Sequence, residues 1–209
     1  MSKTTLQTIG LLIGLALIVV AAPLLWKVGA LDQSRAGLQL GQTMPPITDV
    51  EGWLNGDGPA PVDLQGKVVF VNAWFLNCPY CHERMPELVK LYDEYHSKGV
   101  IFVGMTSDDS ESVKNVERFL DKYKVDWPNA YGATNSLMSF KAEYFPGYWL
   151  IDRDGKVVWN KALQGRVSIQ TAIEQALAAK TSASQTPTAE QPATSNGPID
   201  DEQLATAQL

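Results

Sequence analysis

Cys78 and Cys81 are the only cysteines of this chain, separated by Pro79 and Tyr80, which we assign to an active-site loop. The apolar run 68–74 comes shortly before the pair, and the residues after it follow the spacing of a helix. This arrangement is typical of a redox-active dithiol whose first sulfur lies at a helix N-terminus. Unpaired N–H groups and the positive end of the helix dipole favour a thiolate there. We therefore predict Cys78 as the more exposed, attacking sulfur and Cys81 as the sulfur that resolves the mixed disulfide.

Two cysteines this close together also fit other uses, and the sequence leaves these open. A structural disulfide across two residues closes a very short loop and gains little from chain entropy. A pair of inert buried thiols is a second alternative. A zinc site is a third, but His82 and His96 are the only histidines that could complete its ligand set. The pattern favours redox chemistry that needs neither a metal nor another cofactor.

The amino-terminal region predicts a membrane anchor. The 23 residues between Lys3 and Lys27 carry no charge, and about 20 apolar residues suffice to cross a bilayer. A cleaved signal peptide is the alternative, because Val20-Ala21-Ala22 resembles a cleavage signature, although Pro23 follows it and the apolar run continues. The flanking positive charges do not decide the orientation. An anchor ahead of a dithiol domain fits a location on the periplasmic, or extracytoplasmic, side of the cytoplasmic membrane.

Composition divides the chain into four regions. We predict an anchor at residues 1–29, a spacer at 30–37, one globular domain of ordinary size at 38–180 and a disordered tail at 181–209. The tail has almost no large apolar side chains, so it cannot offset the entropy cost of ordering. It carries four acidic residues and no basic ones, and removing it from the total charge of −6 leaves −2. Since no basic stripe exists, nucleic acid is excluded as the expected partner.

Strand-like and helix-like patterns alternate through the domain. Apolar runs at 68–74 and 100–105 predict buried strands, and an Asp-Gly turn within 147–160 predicts a hairpin. Apolar residues at helical spacing predict three helices, from Pro79 to about Ser97, over 113–123 and over 169–177. Pro86 lies inside the first helix and should kink it. This order predicts an α/β domain with a mixed central sheet flanked by helices.

Four sequence blocks resemble the membrane-anchored thioredoxin-like oxidoreductases of the TlpA/ResA/CcmG type, and the resemblance covers residues 38–180. The blocks are Gly41 to Pro46, Asp63 to Trp74, Cys78 to Cys81 with Met85 to Leu88, and Pro146 to Asp152. Their order and spacing support the family resemblance far more strongly than the cysteine pair alone. The resemblance implies a thioredoxin-like fold.

The same resemblance implies a substrate-docking site and an activity. In this family the proline that matches Pro146 follows a cis peptide bond beside the dithiol, and the backbone of the preceding residue, here Phe145, meets an extended substrate. A loop-breaking proline ahead of a strand is the alternative. The implied function is the reduction of disulfides in exported proteins, for example to keep the thiols of apocytochrome c or metallochaperones reduced. The implied partners are protein thiols and disulfides, the membrane, and a membrane-embedded electron donor.

Three positions depart from the family pattern. Asn77 stands where these proteins usually have Trp, and Asn72 where thioredoxin has a buried Asp. Arg84 replaces the Glu that relatives often carry three residues after the second cysteine. We hypothesise that Arg84, if it approaches the sulfurs, lowers the thiol pKa; a solvated arginine is the alternative. His82 could also shift the local potential, but we expect it to face solvent.

The aromatic residues near the two active-site blocks divide into core and surface. We predict Trp74 and Tyr148 as core residues, and Tyr80 and Phe145 as members of an exposed docking patch.

Other function classes are weaker but stay open. A thiol-dependent peroxidase of the peroxiredoxin kind would carry Thr three residues before the first cysteine, where this chain has Phe75. A metal-delivery module would want a distant histidine ligand, and no histidine follows His96. A non-catalytic module that only docks thiols predicts that function survives the loss of Cys78.

Overall fold

Six strands form one sheet in the computed structural model, which describes residues 37–179. In chain order they are β1 (Gly52–Leu54), β2 (Val68–Trp74), β3 (Val100–Thr106), β4 (Asn129–Tyr131), β5 (Gly147–Ile151) and β6 (Val157–Asn160). Their order in space is β1-β4-β3-β2-β5-β6. β2, β3 and β4 run parallel, whereas β1, β5 and β6 pair antiparallel with their neighbours. The predicted mixed central sheet is therefore confirmed.

The helices pack against this sheet. Within the described residues they are α1 (Pro61–Leu64), α2 (Pro79–Tyr95), α3 (Val113–Tyr123), α4 (Thr134–Ser139) and α5 (Ile169–Ala178). A 3-10 turn, His96–Lys98, extends α2, and Gly99 ends it with a φ of 90°, a conformation that favours glycine. Pro86 lies inside α2 and does not end it. Because proline has no N–H, it cannot donate to the carbonyl of His82, four residues earlier.

Side chains alternate between the two faces of the sheet, and each face has its own apolar core. Phe70, Trp74 and Tyr148 belong to the core that includes α2, α3 and α5. Val69 and Trp149 belong to the opposite core, which includes residues of α4. Every residue of β2 is buried. The central strand that leads to the two cysteines is therefore fixed from both sides.

Some elements were not indicated by the sequence, and some predictions fall outside the described residues. β1, β4, α1 and α4 are short and had no clear periodicity. The predicted anchor and the predicted tail lie outside residues 37–179. Within that range no helix has both the length and the apolar character of a membrane span.

Candidate active site

The two cysteines form a disulfide at the start of α2. Cys78 is the N-cap residue, and Pro79 takes the first helical position, where its missing N–H costs nothing. The backbone N–H of Cys81 donates to Cys78 Sγ at 3.2 Å, and the N–H of His82 donates to the Cys78 carbonyl at 3.2 Å. The first sulfur thus lies at a helix N-terminus, as predicted. The N–H that points at Sγ can stabilise a thiolate there after reduction.

Both cysteines are buried in this disulfide form. Cys78 keeps 3% of its surface exposed and Cys81 keeps 1%. Cys78 is the more exposed of the two, as predicted, but neither sulfur is accessible in the oxidised state. Phe75, Leu76 and Phe145 pack against the apolar cluster that contains both cysteines. Because Cys78 is 3% exposed, access to its sulfur requires neighbouring groups to move aside.

The peptide bond between Phe145 and Pro146 is cis, as the family resemblance implied. β2 and β5 pair antiparallel with Ala73 opposite Gly147, so the chain enters β5 at the sheet end where it leaves β2 for the dithiol. The rings of Phe75 and Phe145 meet edge to face with 5.1 Å between their centroids. The structure therefore brings the cis proline and the dithiol to the same edge of the sheet.

The aromatic residues follow the predicted division, with one exception. Trp74 and Tyr148 are buried in the core, and Tyr80 is 68% exposed. Phe145 is only half-buried rather than exposed, because its ring packs on Phe75. The exposed Tyr80 of the active-site loop offers a surface on which an apolar peptide segment could lie.

His82 is half-buried, so the prediction that it faces solvent is wrong. Its Nε2 lies 2.8 Å from the carbonyl oxygen of Leu76, and its Nδ1 lies 3.1 Å from the hydroxyl of Tyr123. The ring also meets Phe119 edge to face at 4.8 Å. Because a carbonyl can only accept, Nε2 donates to Leu76, and Nδ1 of the neutral ring accepts from Tyr123. His82 thus ties α2 to α3 and to the loop that precedes Cys78.

Asp108 anchors the same loop, and no sequence pattern indicated it. Its Oδ2 accepts the N–H of Leu76 at 2.9 Å and the hydroxyl of Thr106 at 2.5 Å. The Thr106 hydroxyl in turn accepts the N–H of Asp108 at 3.1 Å. An acidic residue two positions after the buried strand β3 was the signal that could have found it. Asp108 and His82 together hold the loop from opposite sides of Leu76.

The three departures from the family pattern lie in different surroundings. Asn77 is exposed. Asn72 is 1% exposed; its Oδ1 accepts the indole N–H of Trp127 at 3.2 Å, while its Nδ2 is buried without a partner among the described residues. Arg84 lies on the exposed side of α2 and pairs with Glu87 at 3.2 Å. This contact favours the solvated alternative for Arg84 over an approach to the sulfurs.

The chain is similar to known redox proteins over most of the described range. The profile of the redoxin family matches residues 39–176. The thiol-disulfide oxidoreductase ResA of Bacillus cereus is 35% identical over 125 residues, which are 58% of this chain and 68% of that protein. Protein DipZ of Mycobacterium tuberculosis is 28% identical over 143 residues, 65% of this chain and 21% of DipZ. The thioredoxin domain of a thiol-disulfide oxidoreductase from Bacteroides vulgatus superposes with a TM-score of 0.54 at 25% identity, covering 66% of this chain and 95% of that domain.

Proposed function

Since the chain belongs to the redoxin family, as a thiol–disulfide oxidoreductase of the TlpA/ResA type, we propose that it reduces disulfides of exported proteins through Cys78 and Cys81. The observation that supports this assignment most directly is the Cys78–Cys81 disulfide at the first turn of α2, with the N–H of Cys81 directed at Cys78 Sγ. An internal disulfide is the oxidised product that such a reaction leaves behind.

The proposed reaction transfers two electrons in two exchange steps. In the reduced protein the Cys78 thiolate attacks one sulfur of a partner disulfide, forming a mixed disulfide and releasing the partner's other sulfur as a thiolate. The Cys81 thiolate then attacks Cys78 Sγ, re-forms the internal disulfide and releases the partner's second thiolate. The partner's disulfide has become a dithiol, and the Cys78–Cys81 dithiol has become a disulfide.

Substrate access is the structural requirement of this reaction, because little of Cys78 is exposed. An extended peptide laid along the backbone of Phe145 beside cis-Pro146 would displace the Phe145 ring from Phe75. That displacement opens a path to Cys78 Sγ, while Tyr80 supplies exposed apolar surface for the same peptide. In this proposal the substrate itself uncovers the sulfur that attacks it.

The proposal includes a cellular setting that the amino-terminal sequence supports. The uncharged stretch between Lys3 and Lys27 has the length of an anchor, which would hold the domain at the extracytoplasmic face of the membrane. Dithiols on that side become oxidised, so a reductase there needs a continuing electron supply. A membrane-embedded dithiol donor would return two electrons after each cycle. The substrates proposed from the resemblance are the thiols of apocytochrome c or metallochaperones.

The first experiment traps the mixed disulfide. Reduced full-length Cys81→Ala, mixed with a peptide bridged by one disulfide, should accumulate a covalent adduct at Cys78 that mass spectrometry detects. Cys78→Ala is the matched control and should form no adduct, because Cys81 is the more buried sulfur. Equal adducts in both variants would contradict the assigned order of attack.

The second experiment measures the direction of exchange. Equilibration of the full chain in thiol redox buffers gives the midpoint potential of the Cys78–Cys81 pair. A value near that of thioredoxin, about −270 mV, supports reduction, whereas a value near about −120 mV is typical of an oxidant and would overturn the proposed direction.

A further inference from the structure

A cleft of about 240 Å³ lies beside α2, on the side away from His82, and carries an excess of positive charge. We name it the cationic cleft. The side chains that give it its chemistry are Arg84, Glu87, Tyr148, Lys161, Arg166 and Ser168. Three of them are cations and one is a carboxylate, in a chain whose total charge is −6. The local charge is thus opposite in sign to that of the molecule.

The Tyr148 hydroxyl is a buried donor with nothing to bond. Tyr148 is 3% exposed, and its hydroxyl has no hydrogen-bond partner among the described residues. Tyr148 lines the cleft together with Arg84 and Glu87 of α2. An unpaired buried hydroxyl is unfavourable unless a ligand or water completes it. The wall of the cleft therefore contains a buried donor that a ligand could pair.

Two further groups on the opposite wall are also free to bind an acceptor. No described residue forms an ion pair with Arg166. Ser168 caps α5, and its side chain is already used, because Oγ accepts the N–H of Thr171 at 3.0 Å. The first backbone N–H groups of α5 have no partner within the helix, and they lie at the positive end of its dipole. Arg84 is paired with Glu87 at 3.2 Å, and the Lys161 ammonium donates to the Gly165 carbonyl at 3.5 Å, so Arg166 and these N–H groups are the most available anion-binding groups of the cleft.

We propose that the cationic cleft binds a carboxylate side chain of the substrate protein while that protein is engaged at the dithiol. Arg166 and the Tyr148 hydroxyl hold the carboxylate, and Lys161 supplies further positive charge, whereas Glu87 balances the charge of Arg84. This inference rests on the proposed function, since it assigns an acidic residue near the reacting cysteine of the substrate.

The position of the cleft makes the substrate the source of the carboxylate. Arg84 lies three residues beyond Cys81 on α2, which is about 4.5 Å along the helix axis. Tyr148 lies two residues beyond Pro146 on β5. The cleft therefore borders both the helix that carries the sulfurs and the strand that begins beside the docking backbone. A peptide that passes between them brings its next side chains to the cleft.

The test compares two bridged peptides that differ only in charge. One carries Glu on both sides of each cysteine, so that either chain direction presents a carboxylate, and the other carries Gln at those positions. With reduced full-length protein, kcat/KM for the Glu peptide should exceed that for the Gln peptide by about fivefold, as expected for a partly exposed ion pair. In Arg166→Gln and in Tyr148→Phe this ratio should fall toward one. Arg118→Gln, an exposed arginine of α3 on the His82 side, is the matched control and should keep the ratio.

Inorganic phosphate separates a substrate carboxylate from a free anion. Amide NMR signals of residues 166–170 are followed as phosphate is added to the full chain. Equal rates for the two peptides with phosphate shifts at these residues would mean that the cleft binds small free anions, and the substrate assignment would be wrong. Equal rates without shifts would remove the anion site altogether, while continued reduction of both peptides would leave the proposed function standing. If neither peptide is reduced, the proposed function fails, and the phosphate titration still decides whether the cleft binds anions.

Discussion

The two flanks of helix α2 differ in how completely their polar groups are paired. On the first, which we call the His82 flank, both ring nitrogens of His82 have partners, and Asp108 holds the N–H of Leu76. On the second, the cationic cleft, Arg84 pairs with Glu87, but the Tyr148 hydroxyl has no partner and Arg166 no ion pair among the described residues. Both flanks border α2, the helix that begins at the disulfide.

This difference separates two tasks. Paired polar groups fix a loop, because each bond lost would leave a partly buried donor or acceptor unsatisfied. The His82 flank therefore positions the loop that leads into Cys78. Unpaired polar groups give no such support and instead keep capacity for a ligand. The cationic cleft accordingly contributes little to the stability of the free protein and retains its binding groups for a partner.

Among the tests of this comparison, removal of the Asp108 carboxylate should change the free energy of unfolding most. Asp108→Ala leaves the N–H of Leu76 and the hydroxyl of Thr106 without their acceptor, so the free energy of unfolding should fall by about 2 kcal/mol. Urea denaturation of the oxidised protein measures it. Asp121→Ala, at an exposed position of α3, is the control and should change stability by less than about 0.5 kcal/mol. If the two variants are equally stable, Asp108 does not fix the loop.

The two histidines of the chain provide the next test. His82→Phe keeps an aromatic ring against Phe119 but leaves the Leu76 carbonyl and the Tyr123 hydroxyl unpaired, at a cost of about 1.5 kcal/mol. Reduced His82→Phe should also react faster with iodoacetamide at Cys78, since the loop before it is looser. His96→Phe, at an exposed position, should alter neither stability nor alkylation appreciably. Equal behaviour of the two variants would contradict a positioning role for His82.

A tyrosine hydroxyl can be removed from each flank, and the two removals should change the free energy of unfolding in opposite directions. Tyr123→Phe takes away the hydroxyl that donates to His82 and should lower the free energy of unfolding by about 0.5 kcal/mol. Tyr148→Phe takes away a buried hydroxyl without a partner and should raise it by about 1 kcal/mol. Thermal and urea unfolding in phosphate-free buffer measure both. Changes of the same sign would remove the contrast between the flanks.

Alkaline pH should widen the gap between Tyr148→Phe and the unmodified chain. Burial holds the pKa of Tyr148 above its ordinary value of 10.0, the Glu87 carboxylate raises it further, and Arg84 opposes this. The pKa of Tyr148 is higher in the folded state than in the unfolded state. Its contribution to the free energy of unfolding is therefore complete below pH 10 and is lost as the pH rises from 10 toward the folded pKa. Unfolding measured at pH 9 and above pH 10 should show the gap growing only in the second range. A constant gap would mean that this hydroxyl is not buried in solution.

The longer elements were predictable from sequence, and the short ones were not. β2, α2 and α3 have enough residues for a period to show, and the predicted bounds 68–74 and 113–123 match the structure. β1 and β4 have three residues each and form because they pair with each other and with β3. Such pairing depends on chain segments far apart in sequence, so no local pattern reveals it.

The candidate site divides in the same way. Cys78, Cys81 and Pro146 stand in recognisable motifs, and the structure brings them to one edge of the sheet. The surroundings of His82 and Tyr148 depend instead on distant residues. A histidine one position after a cysteine could face water or Tyr123, and only the packing of α3 against α2 decides which.

Pro86 weakens the backbone hydrogen bonding of α2, the helix that carries the dithiol. The Pro86 ring supplies no amide proton to the His82 carbonyl. The first two turns of α2 are therefore joined to the rest of the helix by one backbone hydrogen bond fewer than in a regular helix. Leu88, Leu91 and Tyr95 anchor the later part in the core. When the sulfurs separate on reduction, the part of α2 before Pro86 can tilt, while the part after Pro86 stays packed in the core. The catalytic end thus gains freedom to yield to a partner without loosening the body of the domain.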